Sequence, residues 1–161
     1  MTAESYVQAI QEKLGETWLP QIYRDRILRL RTRSYHFETV RPSASINIQH
    51  TLLGVELKIG RKRLLCPDLA TARYLSVYAR VGATDVAVPY DITKISHIAD
   101  ELESSWYRML LLVEQETGKE SVKLRNRVRG LLIAQIRAEI AEAGAGTRIP
   151  QFKDIKPRGR N

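Results

Sequence analysis

Cysteine is nearly missing from this sequence: 161 residues hold one, Cys66. A lone thiol excludes an intramolecular disulfide framework and fits a reducing compartment. Histidine is almost as scarce, and His36, His50 and His97 are too scattered to form a Cys/His zinc cage. No apolar run approaches the ~20 residues needed to cross a bilayer, because charges interrupt every apolar stretch. The opening MTAESYVQAIQEKLGETW has no basic stretch followed by an apolar one, so no secretory leader is expected. These absences predict a cytoplasmic protein with no membrane partner. Hydrophobic residues make up 43% of the chain, enough for a core of its own at single-domain length.

Positive charge is abundant and unevenly placed. The formal net charge is +8. Residues 21–63 carry ten Lys or Arg against three Asp or Glu, and residues 144–161 carry five against one. The remainder is slightly acidic. Concentrated basic charge favours a polyanionic partner, and nucleic acid, DNA or RNA, ranks ahead of a membrane surface because no lipid-facing amphipathic helix accompanies it.

Hydrophobic spacing sets the element order. Tyr6, Val7, Ile10, Leu14 and Trp18 recur at helical steps, with Pro20 as the stop. From Tyr23 to Val40 the period is two: Leu28, Leu30 and Thr32 alternate with Arg29, Arg31 and Arg33, which predicts one or two strands. Residues 45–59 read as a strand whose apolar positions change parity, a conflict that a bulge near Gly54 resolves. Gly60-Arg61 fits a tight turn into a further strand, KRLLCP. Leu69, Ala72, Leu75 and Ala79 predict a helix ended by Gly82, and DVAVPY a short buried strand. Asp91 is an N-cap candidate for a long helix seamed by Ile95, Ala99, Leu102, Trp106, Met109 and Val113. A second helix follows over residues 121–143. The expected class is α+β: an antiparallel sheet of three to four strands with flanking helices in α-β-β-β-α-β order, then a C-terminal helical pair. Residues 1–143 form the domain, with 91–143 as the pair, and 144–161 are a flexible basic tail.

Within residues 52–68, Glu56 and Lys58 share a strand face because side chains two apart point the same way. This Glu-Leu-Lys resembles the Glu-x-Lys half of the PD-(D/E)xK nuclease superfamily, whose core runs helix, antiparallel strands, helix, strand. The resemblance spans residues 5–90 in element order. It implies that Glu56 helps hold a divalent metal, Mg²⁺, and that Lys58 positions or activates the attacking water. The family's upstream aspartate after a proline is missing here. Glu38, placed on the preceding strand, is the first substitute as a second catalytic and metal-binding acid, ahead of Asp25, Glu12 or Glu16. The bland alternative is that Glu56 and Lys58 are the wet face of a strand, pairing with cross-strand charges.

Arg29, Arg31 and Arg33 would line one strand face at ~6–7 Å intervals, near the spacing of phosphates along a single strand. Arg61, Lys62 and Arg63 sit at a hairpin tip able to straddle a nucleic-acid backbone. Cys66 reads as a small buried hydrophobe ahead of a nucleophile, and Tyr74 and Tyr78, four apart, as helix packing. A rival function uses no nucleic acid: the two C-terminal helices, the first bearing seven acids over residues 85–116, would dock a second copy or a protein partner through an open seam.

Overall fold

The computed structural model describes residues 2–38 and 45–146. Helix α1, Ala3–Leu14, starts where the Thr2 side chain accepts a hydrogen bond from the Ser5 N–H, and ends at Gly15 with φ +53°. A 3₁₀ turn, Gly15–Thr17, leads to α2, Leu19–Ile22, which continues as a π-helical turn over Tyr23–Ile27. Two expectations fail here. Pro20 stands in the first turn of α2, where its missing N–H costs nothing, so it opens a helix instead of stopping one. The alternating segment is helical to Ile27 and a turn to Leu30, so its strand β1 covers Thr32–His36 alone. Tyr23 and Ile27 have no solvent exposure, and burying them with Ile22 demands the helical phase that the alternating arginines obscure.

Strands β2 (Ile46–Thr51), β3 (Gly54–Ile59) and β4 (Lys62–Cys66) form an antiparallel meander. The expected bulge is a hairpin: Thr51 pairs with Gly54, and Leu52-Leu53 is the turn between two strands, fully exposed. Gly54, at φ +133°, takes the conformation that permits it. The parity change was thus a reversal of chain direction, which a pairing pattern distinguishes from a bulge but a single sequence does not. Gly60-Arg61 is the expected two-residue turn, with Ile59 opposite Lys62.

Helix α3, Leu69–Val81, is capped by the Asp68 carboxylate on the Thr71 N–H and by left-handed Gly82. It is followed by β5 (Asp85–Pro89), α4 (Ile92–Glu116), N-capped by Asp91, and α5 (Val122–Ala143), N-capped by Ser121. The fold is α+β with antiparallel strands and a C-terminal helical pair. The strands divide into two sheets, however: β5 returns to pair with β1, and the meander stands alone in the order β2-β3-β4.

Helices α3 and α4 pack against each other, and α1 packs across α4 and α5. The seam of α4 is therefore closed by its own chain: Ile95, Ala99, Leu102, Trp106, Met109 and Val113 are all buried. A buried tyrosine network ties β5 to both flanking layers. Tyr74 donates to the Ala87 carbonyl, the Ala87 N–H donates to Tyr23 Oη at 2.9 Å, and Tyr23 donates to the Gly144 carbonyl at 2.6 Å. Tyr78 donates to Tyr74. Burial pushes the Tyr23 phenol up to about 12 and raises Tyr74 and Tyr78 as well. Tyr74 and Tyr78 are thus packing residues, as their spacing predicts. No helix among the described residues is long and apolar enough to cross a membrane.

Candidate nucleic-acid interface

Alternation along the meander sorts its residues. Leu57 and Ile59 face the core, while Glu56 and Lys58 face outward. Opposite Glu56 lie Gln49 and Leu65, and opposite Lys58 lie Asn47 and Arg63. Glu56 Oε1 is 3.6 Å from Arg63 Nε. Glu38 lies beyond the end of β1, not on a strand, and its carboxylate is 3.5 Å from Lys62 Nζ. Lys62 and Arg63 are consecutive on β4, so their side chains leave on opposite faces. The two carboxylates expected to share a metal are each engaged by a cation of β4, Glu38 by Lys62 and Glu56 by Arg63. Among the described residues no three His, Cys, Asp or Glu side chains are grouped to hold a metal. Each acid is the partner of a neighbouring cation, the arrangement that the wet-face reading describes.

The arginines of the early segment are split by the corrected secondary structure. Arg29 lies in the turn after the π-helical stretch, Arg31 just before β1 and Arg33 within it. They do not line one strand face. Arg31 and Arg33 are instead brought together by an aromatic ring: their guanidinium carbons lie 5.9 and 5.6 Å from the centroid of Tyr90. Tyr90 follows β5 and donates its N–H to the Arg31 carbonyl. Sequence reasoning missed it, because only the β1–β5 pairing places a residue near 90 beside residues near 31.

Both sheets end in an edge that no described strand covers, and the two edges line the same groove. In β1 the pairs Arg31–Tyr90 and Phe37–Thr84 are hydrogen-bonded, which fixes the alternation. Thr32, Ser34 and His36 then direct their backbone N–H and C=O away from β5. In β3, Gly60 bonds back to Ser45, so residues 55, 57 and 59 bond to β4, and Arg63 and Leu65 turn their backbone groups outward. Between these edges runs a cavity of about 320 Å³ walled by Arg33, Ser34 and Tyr35 on one side and Leu64, Leu65 and Cys66 on the other. Thr71 and Leu75 of α3 form its floor. A second cavity, about 110 Å³, shares Tyr35 and Leu64 with the first and is walled by Phe37, Glu38, Lys62 and Arg63. Arg33 thus lines the larger cavity, and Lys62 and Arg63 the smaller one beside it, with Glu38 as the one carboxylate among the lining residues. Cys66 lines the larger cavity, but burial first and Asp68 second push its pKa up to about 11, so at neutral pH it is no thiolate nucleophile.

Charge pairing differs across the molecule. The acids of α4 are matched internally: Glu101 with Arg26, Glu103 and Asp100 with Arg73, Glu116 with Lys13. The acidic helix expected to dock a partner is largely neutralised within the chain. No described carboxylate pairs with Arg29, Arg31, Arg33, Lys58 or Arg61 on the strand side, nor with Arg80, Lys94, Lys119, Lys123 or Arg129 on the helices. A cleft of about 510 Å³ between residues 16–26 and α4 is lined by the acids Glu16, Asp25, Asp100 and Glu101 and by Arg26 and Arg108, so it lacks the basic excess that a polyanion favours. The basic residues from Arg148 onward lie outside the described residues. No family model, no curated protein and no solved structure matches this chain.

Proposed function

We propose that this protein binds nucleic acid through the side of the molecule that carries the strands. One observation carries the reading: Arg31 and Arg33 converge on the Tyr90 ring, and neither they nor Arg29, Lys58 and Arg61 have a carboxylate partner among the described residues. Unpaired guanidinium groups held by an aromatic ring are already ordered for phosphate, so little side-chain freedom is lost on binding. Lys62 and Arg63 add two exposed cations whose contacts with Glu38 and the half-buried Glu56 are long, at 3.5 and 3.6 Å.

Mg²⁺-dependent cleavage, which the Glu-Leu-Lys resemblance implies, is not part of this reading, because no three His, Cys, Asp or Glu side chains among the described residues are grouped to hold a metal. The assembly reading loses its driving surface, since the seam of α4 is filled by the chain itself. The test is fluorescence anisotropy with labelled DNA and RNA at several salt concentrations. Binding is expected to weaken linearly in log–log form as salt rises. A parallel aliquot with Mg²⁺, resolved on a gel, is expected to keep its oligonucleotide intact. Cleavage that disappears in Glu56→Ala would restore the nuclease site, and no binding near physiological salt would end the nucleic-acid reading.

A further inference from the structure

We infer that the groove between β1 and β4 takes a single nucleic-acid strand in preference to a duplex. This rests on the nucleic-acid reading above and names its substrate class. The cations concerned line two adjoining cavities, Arg33 the larger and Lys62 and Arg63 the smaller, with the half-buried Tyr35 common to both. Adjoining cavities of about 320 and 110 Å³ have room for an extended backbone and an unstacked base, whereas the paired, stacked bases of a duplex could not enter them. Single strands are held where a basic groove tracks the phosphates and side chains offer bases a surface, and Tyr35 and the exposed Leu65 supply that surface here.

The strand edges add donors that a basic surface patch lacks. Ser34 on β1 and Arg63 and Leu65 on β4 turn their backbone N–H groups toward edges that no described strand covers. Backbone N–H groups are regular partners of phosphate oxygens. Two facing edges with guanidinium and ammonium groups at their rims therefore present donors on both sides of one extended anionic chain. An extended acidic polypeptide would use the same edges through strand pairing. We assign the groove to nucleic acid because the aromatic and apolar walls face the channel that lies between the cations.

The test compares a labelled 12-nucleotide single strand with the corresponding duplex, using the full chain. The single strand is expected to bind at least tenfold more tightly at equal salt. The double variant Arg33→Gln/Arg63→Gln is expected to weaken single-strand binding at least tenfold and to reduce the slope of log K against log salt by roughly 1.4, two phosphate contacts at ~0.7 each. Lys123→Gln, exposed on α5, is the control and should leave affinity within twofold. Both arginines are exposed, so circular dichroism should confirm an unchanged fold in the variant. Amide exchange at Ser34, Arg63 and Leu65 should slow when oligonucleotide is added. Equal or tighter duplex binding, or single-strand binding that the double variant leaves intact, overturns this inference while the nucleic-acid reading survives. Displacement of the oligonucleotide by an alternating Glu/Val peptide that protects the same amides also overturns it. No binding to either nucleic acid overturns both.

Discussion

The helical side and the strand side of this protein solve the problem of burying an amphipathic face in different ways. Helices α1, α3, α4 and α5 present apolar stripes to one another and cover them, and their surface acids and bases pair across the helix contacts: Lys13 with Glu116, Arg73 with Asp100 and Glu103. The strands have an inner face on α3, but each sheet ends in an uncovered edge and the meander's outer face is polar. A helix satisfies its backbone internally, so covering its side chains completes it. A strand needs a neighbour on each side, so a five-strand fold split into sheets of two and three leaves four edges among the described residues. Two of those edges wall the cavity that Arg33 also lines, and the proposed nucleic-acid surface lies there.

The sharpest way to break this comparison is to open the helical side. Trp106→Ala, in the closed seam of α4, is expected to cost about 3–5 kcal/mol, read as a lowered denaturation midpoint. A loss below 1 kcal/mol would mean that the seam is not where stability resides. Next in size is Tyr23→Phe. It strips the buried Ala87 N–H and the Gly144 carbonyl of their shared partner and should cost about 1–3 kcal/mol. Tyr78→Phe removes a hydrogen bond only to Tyr74 and should cost less, so equal losses would refute the bridging role given to Tyr23.

Alkaline pH should weaken the core from within. The buried Cys66 thiol and Tyr23 phenol have folded pKa values raised to about 11 and about 12 from ordinary values of 9.0 and 10.0. The unfolded chain therefore releases these protons first, and stability that is whole below pH 9 is lost as pH rises through 11 and 12. A stability curve by denaturant at pH 8, 9 and 10 checks the sign, and a rise with pH would contradict it. Cys66 should also react slowly with a thiol reagent at pH 8 until the chain is unfolded.

The smallest effects are expected on the strand side. Glu56→Gln breaks one long pair, 3.6 Å, between half-buried Glu56 and exposed Arg63 and should change stability by about 1 kcal/mol or less while tightening nucleic-acid binding by freeing Arg63. Weaker binding would assign Glu56 a positive role. Leu52→Ser, at a fully exposed hairpin tip, should stay within ~0.5 kcal/mol of the parent. A larger loss would show that the tip is covered.

Much of the fold was legible because its carriers are local. Asp68, Asp91 and Gly82 cap helices by short-range bonds, and Gly60-Arg61 closes a hairpin between adjacent strands. The long helices announced themselves by the recurrence of Ile95 to Val113. The failures share one cause, which is that periodicity is ambiguous over a few residues. Leu28 and Leu30 alternate with arginines, yet burial of Tyr23 and Ile27 imposes a helix before them. Leu52 and Leu53 look like strand core and are a turn in water. Of the candidate site, the individual cations were legible but not their company. Tyr90 joined Arg31 and Arg33 only once strand pairing was known.

By itself the sequence determined the α+β class, the helical pair, the basic bias and the capping residues, since each depends on contacts within a few positions or on composition alone. Tertiary structure decided that β5 joins β1 and leaves the meander apart, that the seam of α4 closes on its own chain, and that residues 33–35 of β1 and 64–66 of β4 wall one cavity. Those outcomes depend on which strand edges and helix stripes find each other across dozens of residues, and local preference carries no information about that choice.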